Sequence, residues 1–169
     1  MVHSGEPVGA RRQAADGSPA KHSAWAKILV TTHPGWTWQL EQRIPSRTQA
    51  AEQIIDALLV QLEAEKWDSR EVFGVHMAVE EALVNAIKHG NKEDPSKSVS
   101  VLVQTSPRQL RVEIVDEGAG FNPEQVPDPT SPELLNKPHG RGLMLMHSYM
   151  THVQYNGRGN GLVMEKTRG

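Results

Sequence analysis

The apolar positions along this chain change period several times, and each change marks an element. Residues 36–44, WTWQLEQRI, alternate: Trp36, Trp38, Leu40, Gln42 and Ile44 share one side, which predicts a first strand with one polar interruption. Pro45 ends it, and Ser46 with Gln49 has the spacing of a capping box. The helix opened there runs to about residue 66, with Ile54, Ile55, Leu58, Leu59 and Leu62 on its buried stripe. Asp68 and Glu71 repeat the start signal, placing acid in the first turn of a second helix. Val72, Val75, Val79, Leu83 and Ala86 form its stripe, and Gly90 stands where a left-handed cap would stop it. Residues 98–104 and 110–115 are β-rich, with SPRQ between them as a hairpin loop. Residues 122–139 hold five prolines and no period, which predicts a long loop of the kind that acts as a lid. An apolar helix over 143–150 follows, and a last hairpin, 152–155 and 162–166, closes around NGRGNG. Strand, two helices, two strands, lid, helix, two strands: this order predicts an α+β two-layer sandwich, a mixed, mostly antiparallel sheet with helices on one face.

Residues 1–34 are rich in Gly, Pro, Ala, Ser and charge without a sustained apolar period, which reads as a disordered leader with at most a short ordered piece at 24–30. Residues 35–169 then make one domain, within a length of 169 residues that suffices for a core. Eighteen basic residues against 20 acidic ones give no basic surface for nucleic acid or membrane. The absence of cysteine excludes disulfides, thiolate zinc sites and thiol nucleophiles. No apolar run reaches bilayer length and no signal-peptide pattern opens the chain, so the expected location is the cytoplasm.

Candidate chemistry concentrates in three stretches. In VHMAVEEALVNAIKHGN, residues 75–91, Glu81 and Asn85 lie one turn apart on one helix face. A carboxylate and an amide so placed offer a proton acceptor beside an oxygen ligand for a hard cation such as Mg²⁺. The plain alternative is a solvated acidic face. Gly74 and Ala78 sit near that face and would leave room for a ligand, while Glu80 points elsewhere as a surface residue. DEGAGF, residues 116–121, follows a strand: Asp116 at its end suits an exocyclic amine such as adenine N6, or else the segment is an ordinary turn. HGRGLMLM, residues 139–146, sets Gly140 and Gly142 at a helix start, where free N–H groups favour a phosphate. Arg141 adds a cation there, and Leu143, Leu145 and Met146 read as core.

These three stretches in this order resemble the boxes of the histidine-kinase-like (Bergerat-fold) ATPases, and among them the small bacterial anti-sigma-factor serine/threonine protein kinases. The resemblance covers residues 36–167. It implies Glu81 as the general base for a substrate Ser or Thr hydroxyl and Asn85 as the ligand of the Mg²⁺ that bridges ATP phosphates. It implies Asp116 as the reader of adenine, with Gly118 and Gly120 permitting close approach. Gly140, Arg141 and Gly142 would close over the phosphates with Leu143 beside them, and His89 would line the site or cap its helix. The implied activity is phosphorylation of a STAS-type anti-sigma-factor antagonist together with sequestration of a sigma factor, in a possible homodimer. A module that binds ATP and sequesters a partner without phosphorylating it is the competing expectation; a purely structural domain would bind no ATP at all.

Overall fold

A computed structural model describes residues 35–122 and 138–169, and of residues 138–141 only the backbone. The expected leader and the expected lid lie outside the described residues, apart from residue 122 at one end and the first residues of a helix at the other. Strand β1 spans Trp38–Pro45 and is followed by helix α1, Thr48–Ala64, and helix α2, Ser69–Val84. Strands β2, Ser98–Thr105, and β3, Gln109–Asp116, form the first hairpin; helix α3, Pro138–Tyr149, precedes β4, His152–Tyr155, and β5, Gly161–Thr167. The sheet order is β1-β2-β3-β5-β4. Each neighbouring pair is antiparallel, so the sheet expected to be mostly antiparallel is wholly so among the described strands. The fold is an α+β two-layer sandwich, as the order of elements implies.

Alternation decides which side chains meet the helices. Val99, Val101 and Val103 of β2, Leu110, Val112 and Ile114 of β3, and Leu162 and Met164 of β5 are all buried. Register then aligns them in rows across the sheet: Val103, Val112 and Met164 in one, Val101, Ile114 and Leu162 in the next. The helices answer with Ile54, Leu58 and Leu62 from α1 and Val75, Val79 and Leu83 from α2. Each such fully buried side chain contributes roughly 1.5–3 kcal/mol. Asp116 is the last residue of the same alternating face of β3, so the period that buries Ile114 also turns its carboxylate toward the helix layer.

Three local expectations fail, each for a tertiary reason. Arg47, not Ser46, is the N-cap of α1 and makes no side-chain cap bond. Ser46 is buried and donates to the Lys97 carbonyl at 3.1 Å while accepting from Asn91 Nδ2 at 2.7 Å, so its hydroxyl is taken by the β2 approach. Gly90 is not a left-handed cap: α2 widens into a π-helical turn, Asn85–Gly90, and the left-handed residues are Lys92 and Glu93. Gly74 leaves no room for a ligand, because a Cβ there would stand 2.9 Å from Tyr149 Cγ, so its smallness seats helix α3; Ala78 is fully buried. Helix α3 begins at Pro138, ahead of the expected residue 143, and Gly140, Arg141 and Gly142 lie in its first turns. The start of α2 follows the sequence: Asp68 caps it, accepting from the Arg70 amide at 2.9 Å.

Candidate functional site

Where the end of α2 passes over the ends of β3 and β5, a cleft of about 520 Å³ opens, within the roughly 300–1,000 Å³ usual for ligand sites. Its walls are mainly apolar, from Ala82, Ala86, Ile114, Leu143 and Leu162, with a few polar groups at separate points.

At the inner end stands Asp116, 9% exposed. Its Oδ1 accepts from the Gly118 amide at 2.7 Å, and burial pushes the carboxyl above its ordinary pKa against that lowering contact. Gly90 lies directly on this carboxyl group: a Cβ at 90 would collide with it. Gly118 in turn lies on the Gly90 carbonyl, so the π turn and the glycine loop interlock without side chains between them. Asn91 fixes the junction. It is fully buried; its Nδ2 donates to Ser46 Oγ at 2.7 Å and to the Ser98 carbonyl at 2.8 Å, and its Oδ1 accepts from the Glu117 amide at 2.8 Å. Glu117 points away, pairing with Arg43 and accepting from the Ser98 amide at 2.8 Å.

The middle is aromatic. Tyr155 on β4 sits opposite Leu162 in register and meets Phe121 edge-on, ring centroids 5.0 Å apart. Burial, with the Glu81 charge nearby, pushes the Tyr155 hydroxyl up to about 12, so it stays neutral through physiological pH. At the outer end Asn85 Nδ2 donates to Glu81 Oε1 at 3.1 Å, bringing together the two side chains that helical spacing paired. Gly142 of α3 packs on that carboxylate, where any Cβ would collide with it.

Asn85, His89, Asp116, Gly120 and Leu143 line the cleft. Glu81 and Gly142 are not among the lining residues: Glu81 is joined to the cleft by its hydrogen bond to Asn85, and Gly142 packs on Glu81. Gly118 supports the wall from behind. Gly140 lies in the first turn of α3, and the Arg141 side chain is outside the described part. The sequence singled out neither Asn91 nor Asn160 nor Tyr155. Tyr155 was within reach, since alternation from Val153 puts it on the inner face of β4. The two asparagines sit in turns, where Asn is common for local reasons alone.

The histidine kinase-like ATPase domain family matches residues 44–166. The chain belongs to that family. Membership makes ATP the ligand class of this fold. The chain is also similar to the anti-sigma F factor of Clostridium acetobutylicum, 34% identical over 103 residues, which are 57% of this chain and 70% of that one. It is similar to the serine/threonine-protein kinase BtrW of Bordetella bronchiseptica, 27% identical over 96 residues, 56% of this chain and 68% of that one. No helix among the described residues is long and apolar enough to cross a membrane.

Proposed function

We propose that this protein is an ATP- and Mg²⁺-dependent serine/threonine protein kinase of the anti-sigma-factor kind, which phosphorylates a STAS-type antagonist and sequesters a sigma factor. The observation that carries the reading is the hydrogen-bonded Glu81–Asn85 pair at the rim of an apolar cleft whose far end holds a buried carboxylate. The names of the two relatives, an anti-sigma factor and a protein kinase, support the partner class.

In this reading adenine enters between Ala86, Ile114 and Leu162, and Asp116 accepts from its exocyclic amine. With one described donor on its carboxylate, Asp116 keeps acceptor capacity for that amine. The phosphates then extend along the Asn85 side toward the amides at the start of α3, with Gly140 and Arg141 beside them. His89 borders their path. Asn85 offers a neutral oxygen, a donor that suits a Mg²⁺ carried mainly by phosphate and water. Bound there, Mg²⁺ would neutralise phosphate charge. Glu81 takes the proton of the Ser or Thr hydroxyl as its oxygen bonds to the γ-phosphorus; the bond from that phosphorus to the bridging oxygen breaks, and ADP leaves. A homodimer and a cytoplasmic location complete the proposal.

One observation favours a second reading. Gly142 packs on the Glu81 carboxylate, a contact that favours a module that binds ATP and sequesters its partner without transfer. Transfer from γ-labelled ATP to a STAS-domain protein decides between them: label on the partner, lost in Glu81→Ala, is expected. Saturable ATP binding without label on any partner would establish the binding module instead.

A further inference from the structure

The turn between β4 and β5 reads from sequence only as a hairpin turn, yet Arg158, Gly159 and Asn160 fasten it to the DEGAGF loop. The Asp116 amide donates to the Asn160 carbonyl at 2.9 Å, and Asn160 Nδ2 donates back to the Asp116 carbonyl at 2.7 Å. The Phe121 amide donates to the Arg158 carbonyl at 3.1 Å, and Arg158 Nη2 reaches the Gly118 carbonyl at 3.4 Å. Both sides have given up side chains for this approach. Gly120 and Gly159 have φ of 76° and 74°, and a Cβ on either would collide with the other segment's backbone. Asn160 also borders the cleft, and its Oδ1 accepts from Asn156 Nδ2 at 3.1 Å, which fixes the amide's orientation.

We infer that Asn160 is a positioning residue for base recognition, a latch that holds the end of β3 so that the Asp116 carboxylate meets the exocyclic amine of a purine. The inference rests on the reading of the cleft as a nucleotide site with Asp116 at the base. The reason is geometric. Asp116 is the last residue of β3, where the ladder to β5 has run out, and β5 itself begins only at Gly161. Beyond that point the paired bonds to Asn160 replace the ladder on the β5 side. Without the Nδ2 donor, the Asp116 carbonyl loses its partner and the strand end gains freedom at the one residue whose direction sets base choice. A displacement of under an ångström suffices to spoil a single amine–carboxylate hydrogen bond, whereas the apolar walls that hold any purine are unaffected.

The test compares the affinity of the full chain for ATP with that for ITP, which carries an oxygen in place of the amine, by calorimetry. The wild type is expected to prefer ATP. Asn160→Asp, which removes the donor and faces a carboxylate to the Asp116 carbonyl, is expected to weaken ATP binding about tenfold while ITP changes little, with Asn160→Ala intermediate. Amide hydrogen exchange at 116–121 should quicken in both variants while β2 stays protected. Equal weakening for both nucleotides, or an unchanged ratio, would overturn the latch and leave Asn160 as a structural turn residue. Should Asn160→Asp not fold, Asn160→Ala carries the comparison alone. A wild type that binds ATP but does not distinguish it from ITP overturns the role of Asp116. One that binds neither overturns the nucleotide reading itself, and the latch falls with it in both cases.

Discussion

The two ends of the cleft are built differently. The inner end is a lattice of short bonds, most of them with a backbone partner: Asn91 to Ser46, Ser98 and Glu117, Gly118 to Asp116, Asn160 to Asp116, with Gly90 and Gly118 in bare backbone contact. At the outer end the described residues show a side-chain hydrogen bond, Asn85 to Glu81, and a glycine of α3 lying against the flexible end of a glutamate. Rigid geometry suits recognition of a flat base, which gains from preorganisation. Phosphoryl transfer needs its groups to gather around a substrate that arrives, so a side-chain-built arrangement suits the end to which the proposed function assigns the chemistry.

The sharpest way to break the outer end alone is Glu81→Ala. Transfer to a partner is expected to fall by about 10²–10⁴, the usual worth of a general base, with ATP affinity and melting temperature near wild type. Lost ATP binding would instead make Glu81 part of the nucleotide's own cradle. At the inner end, Asn91→Ala removes the partner of the part-buried Glu117 amide and Ser98 carbonyl. A loss of roughly 2–4 kcal/mol is expected in urea denaturation, and a loss under 1 kcal/mol would show that water replaces the amide.

Two glycine replacements set the ends against each other. Gly118→Ala drives a methyl group into the Gly90 carbonyl, which cannot move without the π turn, so a loss of about 1–3 kcal/mol is expected. Gly142→Ala also gains about 1 kcal/mol of helix propensity, and its collision is with the movable end of Glu81. Its stability should hold within about 1 kcal/mol while transfer drops up to about 10²-fold from the displaced base. If both variants lose stability alike, the ends do not differ as described.

The smallest effect is a pH dependence. The Asp116 pKa is raised in the folded state, so the native protein holds this proton to higher pH than the unfolded chain does. Asp116 therefore contributes stability at low pH that is lost as pH rises from about 3.8 through its raised value. ATP affinity should move the opposite way, rising over the same window as the carboxylate forms. In Asp116→Asn both slopes should flatten; a slope that survives belongs to another group. Tyr155 gives a companion signature, since its ionisation near 12 should appear in the phenolate absorbance well above the unfolded value of 10.0.

The order of elements, the alternating faces of the strands and the pairing of Glu81 with Asn85 could be read along the chain, because each depends on a period of two or about 3.6 residues and on little else. So could the three boxes, since glycines and acids at strand and helix ends carry a recognisable spacing. What the residues could not announce was the use made of each turn. Ser46 has the spacing of a cap but spends its hydroxyl on Asn91 and Lys97, and Gly90 looks like a stop yet serves to lie against Asp116. Gly74 looks like room for a ligand yet seats α3. In each case a contact 26 or more residues away decided the outcome. Sequence thus determined the parts and their faces. Only the packed structure determined which small residue meets which backbone, because close approach between distant segments is a property of the folded surface and leaves no period in the chain.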